Sequence, residues 1–198
     1  MINLESHHKP ENFSDSIALA FTKLLRLIAD TFFKKKYGHR AVVLETVAAV
    51  PGMVGGMFVH LKSLRKIKED KGWIKTLLDE AENERMHLMF FIEIAKPNLF
   101  ERLLILAAQG IFWNFYFLMY VFFPKTAHRM VHYFEEEAVK SYTEYIKLID
   151  EGILPNPPAP RLAINYYTMD NDATLRDMIL HVRADEQKHS DVNWRYSQ

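Results

Sequence analysis

Apolar residues along the chain recur at intervals of three and four, which predicts helices over about 14–36, 40–66, 72–95, 99–123, 126–151 and 173–195 and few strands. The expected class is all-α. Breaks fall at Tyr37-Gly38, Asp70-Lys71-Gly72, Lys96-Pro97-Asn98, Phe123-Pro124 and the proline-rich run Leu154 to Arg161. None is long enough for a domain linker, so residues 14–198 are expected to form one domain behind a polar tail of residues 1–13. Pro51, followed by Gly52, Gly55 and Gly56, is expected to interrupt the second helix as a kink with close helix packing.

Onto these helices fall four glutamate positions in two matching sets. Glu45 is followed by Glu84-x-x-His87, and Glu135 by Glu186-x-x-His189, at separations of 39, 51 and 51 residues, each about one helical hairpin. Glu and His three apart share a helix face, so one helix offers a carboxylate and an imidazole to the same metal. A Glu from each of two helices and a Glu-x-x-His from each of two others is the ligand pattern of a di-iron carboxylate site in a ferritin-like four-helix bundle. The spacing alone also fits surface carboxylates. A third copy, Glu5-x-x-His8, sits in the polar tail outside any helical pattern and reads as coincidence.

Two segments point to a membrane. The first helix sets Ile17, Phe21, Leu24, Leu25, Ile28, Phe32 and Phe33 against Lys23, Arg26 and Lys34-Lys35-Lys36. That pattern suits an interfacial helix whose lysines reach headgroups, and equally an ordinary helix packed on a core. Leu103 to Phe123 runs 21 residues without a formal charge, long enough to cross a bilayer. A crossing there would put Glu84/His87 and Glu135 on opposite sides of ~30 Å of hydrocarbon, where they could not share a metal. With Trp113, Tyr116 and Tyr120 interleaved, the helix is expected along a membrane surface or in a dimer interface. Together the two helices predict a monotopic membrane protein.

Composition narrows the chemistry. The chain of 198 residues is 49% hydrophobic and 13% aromatic, ample for a core. Lysine plus arginine and aspartate plus glutamate both number 25, so no net field points to nucleic acid. There is no cysteine, which leaves oxygen and nitrogen as metal donors and excludes iron–sulfur and thiol chemistry in this chain. Residues 1–13 lack the pattern of a secretory signal or transit peptide, which favours a bacterial inner membrane with the metal domain on the cytoplasmic side.

From about Lys36 to Asn193 the chain resembles the alternative oxidase family of cyanide-insensitive quinol oxidases. The resemblance rests on Arg40-Ala-Val-Val-Leu-Glu45-Thr46, Glu80-Ala-Glu-Asn-Glu-Arg-Met-His87-Leu88, Glu135-Glu-Glu-Ala138 and Arg183-Ala-Asp-Glu-x-x-His189. It implies the same ligand set, Glu45, Glu84, His87, Glu135, Glu186 and His189, holding two iron ions with a hydroxo or oxo bridge. Glu80, Glu82, Glu136 and Glu137 lie on other faces and are not expected as ligands. Tyr142, two turns after Glu135, matches a redox-active tyrosine of the family. Asn83, His128 and Asp185 match positions that support the ligands through hydrogen bonds. Arg40, Leu44, Glu137, Ala138 and Ser141 match the quinol site.

Departures are few. Ser141 stands where many members have threonine, Phe134 where leucine is usual, and Tyr167 where tryptophan is common. The regulatory cysteines are absent, so thiol-based activation by 2-oxo acids is not expected. The implied activity is ubiquinol oxidation with dioxygen reduced to water and no proton pumping, by a homodimer in one membrane leaflet of the respiratory chain. The alternatives are a di-iron hydroxylase acting on a quinone precursor and a ferritin-like ferroxidase.

Overall fold

The structure, a computed structural model, describes residues 8–33 and 36–198. Glu5, Lys34, Lys35 and the side chain of Phe32 lie outside the described residues. The described residues form seven helices: α1 (Phe13–Phe33), α2 (Tyr37–Lys66), α3 (Trp73–Ala95), α4 (Leu99–Phe122), α5 (Pro124–Asp150), α6 (Arg161–Tyr167) and α7 (Leu175–Ser197). Among the described residues there is no strand, only an isolated antiparallel bridge between Pro158 and Thr174. The all-α class and the two apolar helices are as the sequence predicts.

Six helices were expected, and the seventh is α6, inside what reads as a proline-rich connection. Pro160 begins it at φ −53°, already near helical φ, and Thr168 ends it in the left-handed region. Seven residues are too few for a 3.6-residue pattern to stand out. The longer helices begin on stronger signals. Asn98 and Glu101 form a reciprocal capping box at α4, and Thr174 and Asp177 form another at α7.

The chain divides into two compact units: one runs up to Tyr37 and resumes over His128–Gln198, and the other is Gly38–Ala127. The Gly38–Ala127 unit holds α3, α4 and nearly all of α2. Helix α2 spans Tyr37–Lys66 with Pro51 inside it, as the predicted helix over 40–66 requires. Burial of Val50, Pro51, Gly52 and Val54 offsets the backbone bond that proline cannot donate. Close packing does occur at the glycines. A Cβ on Gly52 would collide with the carbonyl oxygen of Leu77 and come within 3.0 Å of Ala81 Cβ, and one on Gly55 would lie 3.2 Å from Leu77 Cδ1. These glycines let α2 and α3 approach backbone to backbone.

Both α2 and α4 are long and apolar enough to cross a membrane, yet half of the apolar stretch of α2 is buried against 11% of that of α4. Helix α2 is therefore a core helix. Helix α4 is held by buried Tyr116 and Tyr120, the latter stacked on Phe58 at 5.5 Å, and exposes Leu103, Leu106, Ile111, Leu118 and Phe122.

The other unit holds α1, most of α5, α6 and α7. Helix α1 is inverted relative to an ordinary soluble helix: Asp15, Ala18, Thr22 and Ala29 are buried, while Ile17, Leu24, Leu27 and Ile28 are exposed. On the polar side of α1, the Arg26 guanidinium bonds Glu137 and Glu144 and reaches Asp30 at 3.2 Å, tying α1 to α5. Two carboxylates on one face of α5 outcompete solvent for a half-buried cation.

Candidate metal centre

In the Gly38–Ala127 unit, α2 supplies Glu45 and α3 supplies Glu84 and His87 one turn apart. Each offers a ligand atom within 4.8 Å of the others. His87 Nδ1 lies 3.6 Å from Glu84 Oε2 and 3.7 Å from Glu45 Oε2. The other unit repeats the pattern: α5 supplies Glu135, α7 supplies Glu186 and His189, and their ligand atoms also lie within 4.8 Å. His189 Nδ1 is 3.5 Å from Glu186 Oε2, so both Glu-x-x-His pairs adopt nearly the same geometry. These distances are too long for hydrogen bonds. They suit donor atoms that each sit ~2.1 Å from a shared ion.

All six side chains are exposed by 8% or less. Each unit thus buries two carboxylates close together, and buried like charges are costly unless a cation is shared between them. Hard carboxylate oxygens plus imidazole nitrogens, with no sulfur, suit iron or manganese. The residues present therefore fit a metal in each triad. Glu80, expected off the ligand face, is also buried; Glu82 is exposed and paired with Arg85 at 2.7 Å.

A sequence profile of alternative oxidase matches residues 3–198. The chain belongs to the alternative oxidase family. It is 58% identical over 192 residues to the mitochondrial ubiquinol oxidase of Mangifera indica, covering 97% of this chain and 60% of that protein. It is 57% identical over 192 residues to the mitochondrial ubiquinol oxidase 2 of Nicotiana tabacum, covering 97% of this chain and 65% of the relative. The mitochondrial ubiquinol oxidase 1a of Arabidopsis thaliana is 58% identical over the same length, with 97% and 54% covered. The chain thus spans between 54 and 65% of the length of these relatives.

The other sequence-selected positions of this alternative oxidase family member are placed as follows. Tyr142 is buried on α5. His128 is fully buried, not a surface residue at a helix start, and its Nδ1 bonds Asn193 Oδ1 at 2.9 Å. Burial pushes its pKa down to about 4, against a smaller upward pull from Asn193. Asn193 in turn donates to the backbone carbonyl of His189 at 3.0 Å, so His128 is joined to His189 through one amide. Asp185 accepts a hydrogen bond from Tyr167 at 2.9 Å and pairs with Lys188 at 2.7 Å. The tyrosine that replaces the usual tryptophan therefore still donates a hydrogen bond. Asn83 is half-buried beside Glu84.

Of the five positions expected from the family resemblance to meet a quinol, Arg40 is buried and Leu44 exposed on α2. On α5, Ser141 Oγ donates to the carbonyl of Glu137 at 2.9 Å, and the Glu137 carboxylate is held by Arg26. Ala138 and Phe134 on the same helix are half-buried. A separate cleft of about 650 Å³ between α3 and α4, lined by Ile92, Lys96, Arg102 and Gln109 among others, contains none of these five residues. Sequence reading missed Asn193 and Arg26. Asn193 lies one turn beyond His189 on the same face, and that spacing was its available signal.

Proposed function

We propose that the two triads face one another across a four-helix bundle of α2, α3, α5 and α7 and hold a pair of iron ions, and that the protein is a ubiquinol oxidase. The observation that carries this reading is the pair of buried, geometrically matched Glu plus Glu-x-x-His triads in a chain of the alternative oxidase family. In the overall reaction two ubiquinols are oxidised to ubiquinones and one dioxygen is reduced to two waters. The iron pair, when bound, would accept the electrons and pass them to dioxygen.

The protein's own groups have distinct tasks. The four carboxylates and two imidazoles offset the charge of two divalent cations in a site from which water is excluded. The buried Arg40 guanidinium donates to a quinol oxygen, and Leu44 and Ala138 flank its ring. Ser141 spends its proton on the Glu137 carbonyl and keeps its oxygen lone pairs for the quinol hydroxyl. The hydroxyl of Tyr142, a buried residue two turns along α5 from Glu135, supplies an electron and a proton during oxygen reduction. Asn83, His128 and Asp185 keep the ligand helices in register.

The exposed apolar faces of α1 and α4 seat the protein in one leaflet, so that a quinol whose tail stays in the bilayer can present its head group. The relatives' names place them in mitochondria; we infer membrane association for this chain and a homodimer built on its apolar helices. The test is oxygen uptake by the iron-loaded protein given a short-chain ubiquinol in cyanide. Uptake that disappears in Glu84→Ala, with about two irons per wild-type chain, is expected. A protein that binds two irons yet leaves quinol and oxygen untouched would sink the reading.

A further inference from the structure

His8 approaches Glu136 of α5 and Trp194 of α7, residues that belong to neither metal triad. Its backbone N–H donates to the Glu136 carboxylate at 3.1 Å, and its carbonyl accepts from Tyr133 Oη at 3.3 Å. Its ring lies on Trp194 with centroids 3.8 Å apart, edge-on to His132 at 5.4 Å. An exposed tail residue is thus fixed at several points before any ligand arrives.

Opposite it, His132 is 97% buried, being 3% exposed. Its Nδ1 is 3.0 Å from the Ser190 carbonyl oxygen and 2.9 Å from Ser190 Oγ, whose own proton can go to the His132 carbonyl oxygen at 3.3 Å; with the ring proton on Nδ1 for the Ser190 carbonyl, Nε2 presents its lone pair. That Nε2 is buried and has no hydrogen-bond partner among the described residues, and it points at Glu136 Oε1 3.5 Å away. A buried imidazole lone pair facing a carboxylate oxygen is stabilised by a cation shared between them. An imidazole whose second nitrogen is anchored on a backbone carbonyl is oriented as metal-binding histidines are.

We propose that His8, His132 and Glu136 form a separate mononuclear site for a divalent transition-metal ion, which clips the N-terminal segment to α5. One ligand atom from each of the three lies within 4.8 Å of the others. Two imidazoles and one carboxylate leave a position for water and suit zinc, iron or cobalt. The site does not depend on the iron pair or on the oxidase activity.

The experiment uses full-length, iron-loaded protein without a polyhistidine tag, titrated with Zn²⁺ by calorimetry, with zinc and iron counted in the same samples. Wild type is expected to bind one more Zn²⁺ than His8→Ala, with iron content equal in both. Because His8 is exposed, that variant should keep the fold. Glu136→Gln should weaken the same step by at least ~10-fold. In nitrogen NMR of His132, Zn²⁺ should shift Nε2 and leave the Nδ1 proton in place. The proposal falls if wild type and His8→Ala bind equal zinc, if zinc enters only as iron leaves, or if His132 Nε2 proves to carry a proton that zinc does not displace.

Discussion

The two compact units carry the same chemical triad on different supports. In Gly38–Ala127 the triad stands on an apolar hairpin whose helices meet at glycine, with Gly52 against the Leu77 backbone and Gly55 against its side chain. In the other unit the triad stands in a polar lattice: His128 to Asn193 to the His189 carbonyl, Tyr167 to Asp185, and Arg26 to Glu137 and Glu144. Geometry close to identical, 3.6 Å against 3.5 Å between imidazole and carboxylate, is therefore reached by packing in one case and by hydrogen bonding in the other. The first kind of support should be sensitive to volume and the second to protonation.

The largest effect tests whether the triads are equivalent. If they share one metal pair, Glu186→Ala should lower iron content and oxygen uptake as far as Glu84→Ala does, both to the background of metal-free protein. Removing one carboxylate from either set leaves too little negative charge to hold the second ion. Iron counting and single-turnover oxygen consumption on both variants check this. A Glu186→Ala protein that keeps iron and turnover would mean that the units bind metal independently.

How much of this was legible in the sequence depended on the kind of force involved. Long amphipathic helices and the Glu-x-x-His pairs were readable because both rest on the local 3.6-residue repeat, which put Glu45, Glu84 and Glu186 on helices before any coordinates existed. The partner of the α2 glycines was not, because which backbone Gly52 meets is a tertiary matter. The partners of Arg26 were hidden for the same reason: its helix shows a cationic face, and only the fold shows that Glu137 and Glu144 receive it. Helix α6 was too short to have a period. The support of His128 by Asn193, 65 residues away in sequence, lies beyond any local pattern.

The second prediction attacks the packed support. Gly52→Ala must push α3 away from α2, because the added methyl meets backbone and not a movable side chain. Overpacking of this kind costs about 3 kcal/mol. For a chain of this size that corresponds to a fall in Tm of roughly 6–12 °C, measurable by calorimetry. The shift should also misplace Glu45 relative to His87, so iron occupancy should fall with Tm. A Tm within about 2 °C of wild type would show that α2 and α3 have slack and that volume does not set this triad.

The smallest effect attacks the polar support. The folded protein keeps His128 neutral down to about pH 4, chiefly because burial penalises its charged form. The unfolded chain protonates it near pH 6.5, its ordinary value. Between those values the unfolded state binds the extra proton, so stability falls as pH drops through the window. At pH 5 this amounts to about 2 kcal/mol relative to pH 8. His128→Gln retains an N–H for Asn193 but cannot take up a proton, so its stability should fall less on acidification by that amount, whatever it loses at pH 8. Urea unfolding at pH 8, 6 and 5 measures the difference directly. Parallel pH profiles for the two proteins would mean that His128 is solvated or already charged in the folded state, and the polar lattice would lose its proposed sensitivity to protonation.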